Sequence, residues 1–77
     1  MDIKGFISNF ADQFDDVDAS VLTPETEFKQ VDGWNSLVAL SVIAMIDEEY
    51  DVTLKGNDIS NASTIADLYN TVQSKME

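Results

Sequence analysis

From Leu37 to Ile46 the chain reads "LVALSVIAMI", ten residues of which only Ser41 is polar, and then passes into Asp47-Glu48-Glu49-Tyr50. Crossing a bilayer takes about 20 apolar residues, so this run is too short to span one. Wound as a helix from Ser36 to Tyr50 at about 100° per residue, it places Leu40, Val42, Ile43, Ile46 and Tyr50, with Ala39 among them, on one broad face. Leu37, Val38, Ser41, Ala44, Met45 and Glu48 fall on the other. A helix that is apolar on two sides either lies at the centre of its fold or carries a docking surface. The rest of the chain has to pack around it.

The flanking segments are helical in period as well. Ile3, Phe6, Ile7, Phe10 and Phe14 recur at i, i+3, i+4, i+7 and i+11, the stripe of an amphipathic helix, with Asp2 placed as its N-cap. From Asp15 to Asn35 the pattern breaks, around Pro24 and Gly33. A connection of this length inside a small domain implies a functional or self-packed loop, and Val21, Leu22 and Phe28 are its expected anchors. In "DVTLKGND" Leu54 is the expected anchor and Gly56 the turn residue, and "NDISN" has the length of a single helical turn around Ile59. The last segment, "STIADLYNTVQSKME", carries a stripe of Ile65, Leu68, Tyr69 and Val72. Thr64 with Asp67 three residues on makes a capping-box-like start, and Lys75 suits the C-terminal end of the dipole.

No stretch alternates in the manner of a strand. The expected fold is therefore all-α: three main helices, one short third helix, and a long loop between the first two. One domain over residues 1–77 is expected, near the lower size at which a chain buries enough surface to fold alone.

Composition removes whole classes of function. The chain has no Cys, no His and no Arg, so disulfides, thiolate nucleophiles, the usual general base and the bidentate anion clamp are all missing. No metal site and no self-contained catalysis are expected. Fifteen acids against four lysines (Lys4, Lys29, Lys55 and Lys75) give a net charge of −11. Such a surface repels nucleic acid and anionic membranes and favours basic protein patches or divalent cations. "MDIKGFISNF" lacks the basic flank and apolar run of a signal peptide, and a cytoplasmic location without membrane insertion is the expectation.

Two clusters bear on chemistry. From Asp16, "DVDASVLTPETE" offers oxygens at Asp16, Asp18, Ser20 and Glu27. Val21 stands where a calcium loop needs its turning Gly, and Pro24 follows, so an EF-hand is rejected and a solvated acidic loop preferred. Ser36 is the second. Asn35-Ser36 reads first as a plain helix N-cap. Yet it follows a long loop and a Gly33-Trp34 corner, at the positive end of a helix dipole, where first-turn N–H groups stabilise a phosphoester.

"GWNSLVALSVIAMIDEEYDVTL" resembles the region around the prosthetic-group serine of acyl carrier proteins. In that family Asp-Ser-Leu heads the second helix, followed by apolar spacing that ends in Glu-Glu-aromatic. The likeness extends through the helix order to "STIADLYNTV", which is similar to the family's last helix. It implies a four-helix carrier bundle in which Ser36 accepts 4′-phosphopantetheine from coenzyme A through a phosphopantetheinyl transferase. It further implies acyl groups carried as thioesters to acyl-transferring and condensing enzymes, with the acyl chain entering between helices near Ile43, Ile46 and Leu68. A monomer is expected. Leu37, Val38, Ser41, Met45, Asp47 and Glu48 are the expected partner-docking residues.

Two departures shape the expectation. Asn35 replaces the family's Asp, and Val38 and Ser41 stand where an acid is usual. Both favour a carrier with a dedicated pathway over the general carrier of fatty-acid synthesis. The alternatives are an aminoacyl or peptidyl carrier and, from another class, an unmodified acidic helical adaptor.

Overall fold

A computed structural model describes residues 2–14 and 17–76. Four helices follow one another: α1 (Ile3–Ala11), α2 (Ser36–Tyr50), α3 (Gly56–Asn61) and α4 (Ile65–Met76), with no strand among the described residues. The connection from α1 to α2 contains two 3₁₀ turns, Ala19–Val21 and Phe28–Gln30. This is the all-α architecture the periodicity predicts, with three main helices, a short third one and a long first loop. Asp16, which heads the rejected calcium loop, lies outside the described residues.

Helix α1 starts where Asp2 accepts a hydrogen bond from the Lys4 N–H at 3.2 Å. It buries Phe6, Ile7, Phe10 and Ala11, and Phe14 is buried just beyond its end. The Phe6 ring lies 5.7 Å from Tyr50 and 5.5 Å from Tyr69, so α1 is seated against both α2 and α4. Burying one such aromatic stabilises the fold by about 1.5–3 kcal/mol.

The long loop is held at both ends of its span. Leu22 and Phe28 are buried, but Val21 is 68% exposed and does not anchor it. The reason is local: Ala19–Val21 is a 3₁₀ turn, Ala19 packs inward from it, and extended Leu22 points the other way from Val21. Further on, the Pro24 and Thr26 carbonyls accept the N–H groups of Ala66 and Ile65 at 2.8 and 3.0 Å. The Thr64 Oγ1 accepts the Asp67 N–H and the Asp67 carboxylate accepts the Thr64 N–H, each at 3.1 Å. The four N–H groups of Thr64, Ile65, Ala66 and Asp67, which have no partner on the α4 backbone, are thereby satisfied, two of them by the loop.

The expected Thr64–Asp67 pair is reciprocal. The Asp67 carboxylate accepts N–H groups of Ser63 at 3.0 Å and Thr64 at 3.1 Å. These bonds, Ser63 first and Thr64 next, hold Asp67 below the ordinary aspartate range.

Between α2 and α3 the reversal does not come from Gly56, which is the first residue of α3. The left-handed residue is Asp51, φ 58°, whose N–H reaches the Asp47 carbonyl at 3.1 Å. A short polar side chain tolerates that region where a branched one does not. Leu54 is buried as expected, and α3 contributes buried Ile59. At its other side α3 meets α4 through the Lys75–Asp58 ion pair at 3.7 Å.

Candidate functional site

The loop that delivers Ser36 is fixed by aromatic packing. Trp34 stacks on Phe10 at 6.3 Å with rings 5° from parallel, and meets Phe28 edge-on at 5.1 Å. Phe14 completes the cluster 6.2 Å from Trp34. The Trp34 N–H closes a turn onto the Val31 carbonyl at 3.1 Å, with Gly33 at φ +95°. Only Gly takes that backbone region without strain, and a Cβ there would also rest 3.7 Å from Phe14. Gly33 and Trp34 thus set the corner from which α2 departs.

The cap is Asn35, not Ser36. In extended backbone, Asn35 accepts the Val38 N–H on its side-chain oxygen at 2.9 Å, and its carbonyl accepts from Ala39 at 3.0 Å. Ser36 is the first helical residue and is exposed. Its hydroxyl bonds to nothing among the described residues, and neither do the N–H groups of Ser36 and Leu37. An exposed nucleophilic oxygen therefore sits beside unpaired donors at the positive end of a 15-residue helix with no acid in its first turn. That is the environment a phosphodiester needs.

Beside it runs a groove of about 650 Å³ between α2 and α3. Ser36, Ala39, Leu40 and Ile43 form one wall, Gly56, Ile59 and Ser60 the other, with Lys29 and Trp34 at the loop side. Ile43 is on this groove as expected. Ile46 and Leu68 are not: both are wholly buried in the core.

The faces of α2 are turned from the expected arrangement. Val42, Met45 and Ile46 are its buried residues, with Val38, Ile43 and Tyr50 packed partly against the core. Leu40, expected inside, is 62% exposed, and Met45, expected on the docking face, is only 7% exposed. Leucine, valine, isoleucine and methionine surround this helix, so hydrophobicity alone defines its inward direction poorly. Packing of α1 and α4 decides it. Met45 is accordingly a core residue, and its assignment to partner docking is corrected.

Of the other expected docking residues, Leu37 is 75% exposed, and Ser41, Asp47 and Glu48 are also exposed. Val38 is half-buried. Sequence reading missed Leu40, although its place one turn after Ser36 and next to Leu37 on the helix was available as a signal.

The chain matches the family model described as "phosphopantetheine attachment site" over residues 7–72. It belongs to that family of carrier proteins, and its helical bundle is the carrier fold. The family carries a covalent 4′-phosphopantetheine prosthetic group, and its domains are carriers rather than catalysts. No curated protein matches the sequence. No helix among the described residues is long and apolar enough to cross a membrane.

Proposed function

We propose that Ser36 is the attachment residue and that the protein is a cytoplasmic, monomeric acyl carrier forming one domain over its 77 residues. The observation that carries this reading is the exposed, unbonded Ser36 hydroxyl at the head of α2, opening onto the α2–α3 groove. On a separate transferase, Ser36 Oγ gives up its proton and attacks the pantetheine-side phosphorus of coenzyme A; the new P–O bond makes the phosphodiester as the pyrophosphate bond breaks and adenosine 3′,5′-bisphosphate leaves. When bound, the group supplies the thiol that this Cys-free chain lacks. The chain's own residues then do three things: Asn35 fixes the first turn, α2 offers its unpaired N–H groups to the phosphate, and Ala39, Leu40, Ile43 and Ile59 offer an apolar wall to the cargo.

Acyl-transferring and condensing enzymes are the partners, met through Leu37, Leu40, Ser41, Asp47 and Glu48. Neutral Asn35, together with Val38 and Ser41 in place of acids, supports service in a dedicated acyl or polyketide-type pathway over general fatty-acid synthesis. Incubation with coenzyme A and a broad-specificity phosphopantetheinyl transferase, followed by intact mass, tests the reading. A gain of one phosphopantetheine that vanishes in Ser36→Ala is expected. No gain favours the unmodified adaptor, and a gain at Ser41 or Ser20 overturns the site.

A further inference from the structure

The groove beside Ser36 is out of step with the charge of the chain. Acids make up 15 of 77 residues, yet among the described residues none lines this groove, and one lining residue, Lys29, is a cation. A neighbouring cleft of about 470 Å³ shares Asn35 but includes Asp32 and no lysine. Around Ser36 the N-cap is neutral and the first turn of α2 has no acid.

Lys29 itself is placed but not neutralised. It projects from the 3₁₀ turn Phe28–Gln30, donates to the Ser60 carbonyl at 2.7 Å and lies 5.7 Å from the Phe28 ring centroid. The ion pair among the described residues joins Lys75 to Asp58, not Lys29 to any carboxylate. One of its three N–H donors is used on a backbone carbonyl, which leaves capacity for an anion.

We propose that Lys29 is a positioning residue for the prosthetic arm, the counter-charge to the phosphodiester formed at Ser36. The proposal rests on the reading of Ser36 as the attachment residue. A phosphodiester adds one more negative charge to a chain already at −11, against the field of its own surface. The helix N-terminus offsets part of that cost, and a cation on the same groove offsets more. The Ser60 carbonyl lies in the last turn of α3, where a cation is favoured, and that contact uses one donor and leaves two for an anion.

The test is a thermodynamic cycle on the full chain, with melting temperatures of the unmodified and modified forms of the parent, Lys29→Met and Lys29→Arg. Methionine keeps the apolar stem over Phe28 and removes the charge. A purely structural role of Lys29 lowers both forms of Lys29→Met alike. The proposal expects the modified-minus-unmodified difference to be about 2–4 °C more favourable in the parent than in Lys29→Met at low salt. Lys29→Arg should restore it, and roughly 0.5 M salt should largely erase it. In the parent alone, the Lys29 Cε resonance should move on modification while those of Lys4, Lys55 and Lys75 stay, a readout that survives if the variants fail to fold. Equal differences in parent and Lys29→Met, or a stationary Lys29 signal, overturn the proposal and leave the Ser36 reading standing. Absence of any mass gain in the parent overturns both.

Discussion

Met45 and Leu37 sit on the same helix and look alike in the sequence, but the structure assigns them opposite consequences. Met45 is 7% exposed beside the fully buried Val42 and Ile46, whereas Leu37 is 75% exposed. Truncating a buried methionine to alanine removes transfer free energy and leaves a cavity, at ~2–5 kcal/mol. Met45 also borders an open cleft of about 270 Å³ shared with Asn9, Gln13 and Ser41, which lets the site relax. The lower half of the range, ~2–3 kcal/mol, is therefore expected for Met45→Ala. At ~0.05–0.15 kcal/mol per residue the whole domain holds only ~4–12 kcal/mol, so the loss is a large fraction. With ~4–8 °C per kcal/mol for a domain of this size, the melting temperature should drop by roughly 10–20 °C. Leu37→Ala should stay within about 0.5 kcal/mol of the parent.

Binding should show the reverse order. Apolar burial stabilises by roughly 25 cal/mol per Å² and is indifferent to salt, while exposed ion pairs contribute ~0–1 kcal/mol and are screened. Docking to a cognate enzyme should therefore weaken more in Leu37→Ala than in Glu48→Gln, and only mildly with added salt. The assays are thermal and urea melts by circular dichroism, and titration of a partner at two salt concentrations. Met45→Ala melting with the parent while losing binding would refute the corrected face of α2. Loss of binding in Glu48→Gln with Leu37→Ala silent would make recognition electrostatic.

Asn35→Ala should cost ~0.5–2 kcal/mol through its cap bond to Val38, and Ser36→Ala far less, because the serine hydroxyl bonds to nothing among the described residues; equal losses in urea melts would contradict the cap assignment. With a net charge of −11, the melting temperature should rise with ionic strength or millimolar divalent cation at neutral pH, and a flat curve would count against self-repulsion. Asp67 is held low by the Ser63 and Thr64 N–H bonds, so its stabilising effect is complete above the usual aspartate range and fades as pH falls through its lowered value. As pH falls below the usual aspartate range the parent should thus lose more stability than Asp67→Asn, and parallel acid curves would remove Asp67 from the account.

Helix existence and order were legible because the stripes of α1 and α4 have a single apolar side, as in Phe6-Phe10 and Ile65-Leu68-Val72. The capping at Asp2 and Thr64–Asp67 was legible because it is local, spanning three residues or fewer. What failed was non-local. The inward direction of α2 depends on α1 and α4, so Leu40 and Met45 exchanged places. Nor does anything in "TPET" announce that the Pro24 and Thr26 carbonyls will cap α4, some forty residues away. The position of Ser36 at the head of α2 was legible from its context, but the groove next to it required the third dimension, since Lys29, Ile43 and Ser60 are far apart in the chain.

The two apolar sides of α2 answer separate demands. If Ser36 receives the arm as proposed, its helix has to be held rigidly, and Val42, Met45 and Ile46 hold it from one side. On the same proposal the helix has to offer partners a surface next to the arm, and Leu37 and Leu40 lie exposed within a turn of Ser36 on the other side. An exposed apolar patch of that kind also invites self-association. Asp47, Glu48 and Glu49 follow about two turns further along the helix, at the negative end of the dipole, where each is unfavourable by ~0.3–1 kcal/mol. Placed there they give copies of the protein like charge beside the patch, so that a neutral or basic partner can approach it while another copy is repelled. On the proposed reading, the local loss at the end of α2 is the cost of keeping Leu37 and Leu40 exposed.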